Sequence, residues 1–186
     1  MDKKDRFLSD KKRYRPISLP QEFSDEEMVR DWNLSNDDQH EIRRYRIDNR
    51  LFIAVQLCAV RLYGRFLKDV NDLSPRIIAY LSQQLDLPPT LTIQVPTRKA
   101  TYSEQRQHIL SHLGFEKFNE AAQAQLEQWL AHKARQGLLP QDLFEHAEGY
   151  LLAERILLPG TAVLERLIIH VCAEVHTELF AAIILP

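Results

Sequence analysis

Between Asp48 and about Leu67, apolar residues recur at helical spacing on two faces at once. Leu51, Ala54, Val55, Cys58 and Leu62 lie on one face, and Ile53, Leu57 and Val60 cover another. A helix that is apolar on most sides has to be enclosed by other elements, so this stretch predicts the central helix of a helical domain. Its exceptions, Arg61 and Arg65, are four apart and predict a shared outer edge.

The flanking sequence supplies the enclosing helices. Ser24 with Glu27, and less strongly Ser35 with Asp38, have the spacing of capping boxes, in which a hydroxyl accepts from a first-turn amide and a carboxylate returns the bond. They predict helices over about 24–31 and 35–45. Ser74 before Pro75 starts another, since proline at the first helical position loses no hydrogen bond. Ile77, Ile78, Leu81 and Leu85 give that helix one stripe, and Pro88 and Pro89 end it. Leu91 to Val95 alternates ahead of Pro96, which predicts an extended connection with room for a short strand. Thr101 with Glu104 starts a helix carrying Ile109, Leu110 and Leu113, stopped at Gly114. Further helices are expected from about Asn119 to Gln136, from Pro140 to Glu154, and from Thr161 onward with the stripe Leu164, Leu167, Ile168, Val171, Val175 and Leu179. With only five glycines and dispersed prolines, the chain is expected to be all-α, its helices joined by short turns.

The predicted organisation is a flexible basic arm over 1–16, a first helical lobe over 17–114 and a second over 115–186. The second lobe, with its short Leu158-Pro159-Gly160 break, fits a three-helix arrangement like a helix-turn-helix. The chain closes on an apolar run from Phe180 to Pro186, which would lack cover in a finished domain and predicts continuation into a longer polypeptide.

Several function classes are disfavoured. No window of uncharged apolar residues is long enough to span a bilayer, and no signal peptide opens the chain. Cys58 and Cys172 sit in apolar helical patterns and predict buried thiols in a reducing cytoplasm. His108 and His112 are four apart, yet no zinc-protease pattern and no CxxC pair accompany them, so no metal is expected. Neither a nucleophile elbow nor a phosphate-cradling glycine loop is present, and the acidic pairs Glu26–Glu27 and Asp37–Asp38 lie in first turns, where they complement the helix dipole. No enzyme activity and no cofactor are expected.

What remains is nucleic-acid contact. Net charge is −2, but the cations are clustered. The arm carries Lys3, Lys4, Arg6, Lys11, Lys12, Arg13 and Arg15. Arg43, Arg44, Arg46 and Arg50 form a second run suited to holding phosphates. Arg98, Lys99, Thr101, Tyr102 and Arg106 surround a helix start, where free N–H groups and positive potential favour a phosphate and front-of-helix side chains reach base edges. In the second lobe Thr161 and Arg166, with Glu165 beside them, are the residues expected to be open to DNA. The rival reading is a helical protein-interaction or assembly module without DNA contact, which the near-neutral total charge favours.

In order along the chain stand Trp32-Asn-Leu-Ser35, Arg46-Ile-Asp-Asn-Arg-Leu51, Ala54-Val-Gln-Leu57, Gly64-Arg-Phe-Leu67, Gln84-Leu85, Arg98-Lys-Ala-Thr101, Leu113-Gly-Phe115 and Ile156-Leu-Leu-Pro-Gly160. From about Asp31 to Pro186 this series resembles the N-terminal region of replicative transposases of the Tn-three family. The resemblance implies sequence-specific binding of double-stranded DNA at the terminal inverted repeats of a transposon. Strand cleavage would belong to a distant C-terminal RNase-H-like domain with three acidic metal ligands. It also implies self-association through the rest of the transposase and a place in the bacterial cytoplasm, at the nucleoid. The family pattern after Arg-x-x-Thr continues Arg-Arg-Glu-His. Here Tyr102, Ser103, Glu104 and Gln105 follow instead, with Arg106 and His108 shifted along the helix.

Overall fold

Ten consecutive residues, Leu51 to Val60, are all buried, which places the helix that carries them at the centre of its surroundings. The structure, a computed structural model, describes residues 7–8, 22–70, 73–88 and 92–184. Among these the chain is helical with no strand, as its apolar periods predict. The helices are α1 (Asp25–Trp32), α2 (Asn36–Arg43), α3 (Ile47–Tyr63), α4 (Pro75–Gln84), α5 (Lys99–Leu113), α6 (Glu120–Arg135), α7 (Pro140–Ala153) and α8 (Thr161–Ile184). No helix among the described residues is long and apolar enough to cross a membrane. The chain divides into two compact units, residues 17–116 and residues 117–186 with the N-terminal segment 1–16.

In the first unit α3 packs against α1, α2, α4 and α5, and α1 also touches α4. Two of the three expected capping boxes are present, and the third, Thr101 with Glu104, is not. Ser24 Oγ accepts from the Glu27 amide at 3.2 Å while the Ser24 amide donates to Glu27 Oε2 at 2.9 Å. Ser35 and Asp38 repeat the pattern at 3.1 and 2.9 Å. Gln84 fastens α4 to the end of α1, its amide donating to Trp32 O at 3.1 Å and its oxygen accepting from Leu34 N at 2.7 Å. Gln56, buried within α3, is satisfied the same way by both backbone groups of Leu67. The α3 helix is shorter than its apolar pattern. Gly64 takes a left-handed φ of 59° and ends it after Tyr63, so Arg65 falls outside the helix and does not share an edge with Arg61. Burial pushes the Cys58 thiol up to about 12, so it is an inert core residue.

The α5 helix begins earlier than its sequence predicts. Arg98 is the N-cap and offers no side-chain cap, and Thr101 already lies inside the first turn. The preceding residues 92–97 are irregular and form no strand; Leu91 lies outside the described residues.

In the second unit α8 packs on both α6 and α7. Leu126, Leu130, Leu143, Phe144, Leu151, Leu164 and Ile168 form its core. The α7–α8 connection runs over residues 154–160, and α8 is 24 residues long. Phe7 and Leu8 belong to this unit. The Phe7 ring meets Phe144 edge-on with centroids 6.2 Å apart, and the amides of Phe7 and Leu8 donate to Glu165 Oε1 at 3.1 and 3.0 Å. The cations expected to make the arm basic, Lys3 to Arg15, lie outside the described residues.

Candidate nucleic-acid interface

The first unit gathers most of the expected contact residues around α5 and the turn between α2 and α3. Phe52 on α3 stands 5.9 Å from the Tyr102 ring, which fixes the inner face of α5. Gln105, Ile109 and Leu110 are buried on the same side. Tyr102 and Thr101 are therefore half-buried at the helix margin, while Arg98 and Lys99 are exposed and have no side-chain partner among the described residues. The Arg106 guanidinium lies over the Phe66 ring at 4.1 Å and within 5.5 Å of the Tyr102 ring. Stacking on ring faces holds the cation in place without occupying its in-plane N–H donors, which leaves a rigid fork for an anionic oxygen.

The second basic run divides by role. Arg50, expected to hold phosphates, is half-buried and bound to the backbone. Its guanidinium donates to Tyr45 O at 3.0 Å and Arg43 O at 2.8 Å, closing carbonyls left open at the end of α2. Arg43 reaches Asp86 at 3.2 Å and Arg44 reaches Glu41 at 2.9 Å, both in exposed pairs that water and salt weaken. Arg46, the N-cap of α3, is exposed with no side-chain partner among the described residues.

Two histidines tie α5 to α2 and to the turn that follows it. Tyr45 Oη and His108 Nδ1 are 3.1 Å apart, and His112 Nε2 is 2.8 Å from Asp38 Oδ1. Each histidine thus has its own partner, and no cluster able to hold a metal occurs among the described residues. Arg61 completes the arrangement with NH2 at 2.6 Å from Asp38 Oδ2. Sequence spacing shows the i, i+4 histidine pair but not these long-range partners, nor Phe66 beneath Arg106. Between the α2 end and α5 lies an open depression of about 500 Å³ lined by Glu41, Arg44, Tyr45, His108, Ser111 and His112.

In the second unit the start of α8 is covered at Thr161, Leu164 and Glu165 and open at Ala162, Val163 and Arg166. Thr161 is 5 % exposed and Glu165 fully buried, so neither side chain reaches the surface, whereas Arg166 is exposed with its Nε bound to Ala162 O at 3.2 Å. Glu165 has become the docking point for the Phe7–Leu8 backbone, which sequence spacing alone could not reveal.

Fold and surface together define an all-α module with an open, polar and partly cationic helix face. The chain belongs to the family described as "Domain of unknown function (DUF4158)", whose model matches residues 7–171. Its relatives are transposases of the Tn-three family. The chain is 30 % identical over 128 residues to the transposase for transposon gamma-delta of Escherichia coli (strain K12), covering 64 % of this chain and 12 % of the relative. It is 28 % identical over 184 residues to the transposase for transposon Tn501 of Pseudomonas aeruginosa, covering 97 % and 18 %. With the transposase for transposon Tn1546 of Enterococcus faecium it shares 26 % over 138 residues, covering 74 % and 14 %. The chain thus spans less than a fifth of the length of each of these relatives.

Proposed function

We propose that this chain recognises the terminal inverted repeats of a transposon as double-stranded DNA, serving as the end-binding part of a transposase whose strand chemistry resides elsewhere. The observation that carries this reading is the surface around α5. Among the described residues Arg98 and Lys99 have no side-chain partner at an uncapped helix start, and Arg106 is stacked on Phe66 with its in-plane donors facing no described acceptor. Arg46 and Arg44 lie on the neighbouring turn, and these positions suit a phosphate-lined groove. The relatives named above are transposases and set the biological context. Self-association would come from the remainder of such a protein.

The test is a binding titration of the chain with a duplex carrying the element's own terminal repeat, against a scrambled duplex of equal length. Specific binding that weakens linearly in log affinity against log salt is expected. Equal affinity for both duplexes, or binding indifferent to salt, overturns the proposal. The rival reading, a protein-interaction module, draws on Leu179 and Phe180, which are exposed near the end of α8. It predicts salt-insensitive association and no retention of DNA.

A further inference from the structure

We infer that the crest of α5, formed by Ser103, Glu104, Gln107 and Ser111, reads base edges in the DNA major groove between a cationic margin of Lys99 and Arg106 and a polar margin at His108, which hold the flanking phosphate strands. This deepens the end-recognition reading above and rests on it.

The four residues recur at spacings of three and four, and all are exposed, so they form one ridge along the helix. None of their side chains has a hydrogen-bond partner among the described residues, so the ridge presents open amide, hydroxyl and carboxylate groups. These suit base edges: glutamine pairs with adenine in a bidentate manner, glutamate accepts from the cytosine amino group, and serine serves either role. At about 3.6 residues per turn, Lys99 and Arg106 fall along one margin of the ridge and His108 along the other. The first margin is stiffened by the Phe66 ring under Arg106. The second is buttressed by Tyr45 at 3.1 Å from His108, with Arg44, paired to Glu41, across the depression that Ser111 also lines.

The polar crest suits the floor of a groove about 12 Å wide, which carries the base code, and the Lys99–Arg106 margin suits one of its phosphate rims. A helix with its side chains is about 10–12 Å across and fits it. The position of Glu104 is informative. On either margin it would face a phosphate strand and repel it, whereas on the crest it faces the groove floor. Tyr102 and Thr101, nearer the core, are turned away from such a duplex.

The deciding experiment selects binding sites from a randomised duplex library with the wild-type chain and with Gln107→Ala, Glu104→Ala, Ser111→Ala and Lys99→Ala. All four positions are exposed, and circular dichroism checks that each variant folds. The wild type should enrich one consensus. Gln107→Ala should lose about 10-fold or more of its discrimination at one base pair while keeping the wild-type salt slope. Lys99→Ala should keep the consensus and show a shallower slope. If the wild type enriches a consensus and the three crest variants all select it with undiminished discrimination, the crest assignment is wrong while end recognition stands. If the wild type enriches nothing, end recognition itself falls and the crest assignment with it.

Discussion

Asp38 is 2 % exposed, and three elements converge on its carboxylate. Arg61 of α3 and His112 of α5 approach its two oxygens, and the Ser35 amide adds the capping bond. Burial pushes the Asp38 pKa up, but the hydrogen bonds from His112, Arg61 and Ser35 and the Arg61 charge outweigh it, so the carboxyl titrates below its ordinary 3.8. A depressed folded pKa means stability that is fully present above pH 3.8 and lost as pH falls through the lower folded value. The acid limb of a urea-stability profile should therefore steepen below that point in the wild type and flatten in Asp38→Asn. Removing the carboxylate takes one partner from Arg61, which keeps the Asn33 carbonyl and reaches solvent, and one from His112, so Asp38→Ala should cost about 1–2 kcal/mol. Arg50 and Arg106, alike in sequence, should respond differently. Arg50→Ala should lower stability by about 1–2 kcal/mol through the lost carbonyl contacts. Arg106→Ala should leave the fold nearly unchanged, weaken DNA binding for all sequences alike and lower the salt slope by about 1. Melting curves and salt titrations on the same two variants separate the roles.

Each of the helices bounding the candidate interface ends through its own local chemistry. Gly114 stops α5 with φ at 67°, and the Phe115 amide donates back to Leu110 O at 2.8 Å. That conformation places a Cβ too close to the following carbonyl, so Gly114→Ala should cost about 1 kcal/mol, read as a lower melting temperature. The start of α5 shows the limit of local signals. Thr101 and Glu104 have capping-box spacing, yet the helix begins at Lys99, because tertiary contacts through Tyr102 and Gln105 hold the preceding turn in helical form. Among the described residues this leaves the first-turn amides without a side-chain cap and open to a ligand.

The N-terminal segment and the α6–α8 unit meet through Phe7, Leu8 and Glu165, residues more than 150 positions apart in the chain. A buried carboxylate that accepts two backbone amides holds the segment, and the Phe7 ring closes over Phe144. Phe7→Ala should destabilise that unit by about 2 kcal/mol, below the range for a fully buried phenylalanine. Hydrogen exchange should report faster opening of α7 and α8 with α1–α5 unchanged. Unchanged exchange in α7 and α8 would show that this contact contributes nothing.

The sequence by itself determined the all-α class, the central place of α3, the capping boxes at Ser24 and Ser35, and the arginine run over 43–50. These follow from periodicity and short-range hydrogen bonding, which act over a few residues and leave a readable pattern. Only the tertiary structure decided which arginine supports the fold and which stands open. Arg50 and Arg106 differ in what lies across from them, carbonyls in one case and a phenylalanine ring in the other. It also decided that Thr161 and Glu165, polar residues at a helix start, are covered by neighbouring elements. Burial is set by the sum of contacts from distant segments, and no local pattern encodes that sum.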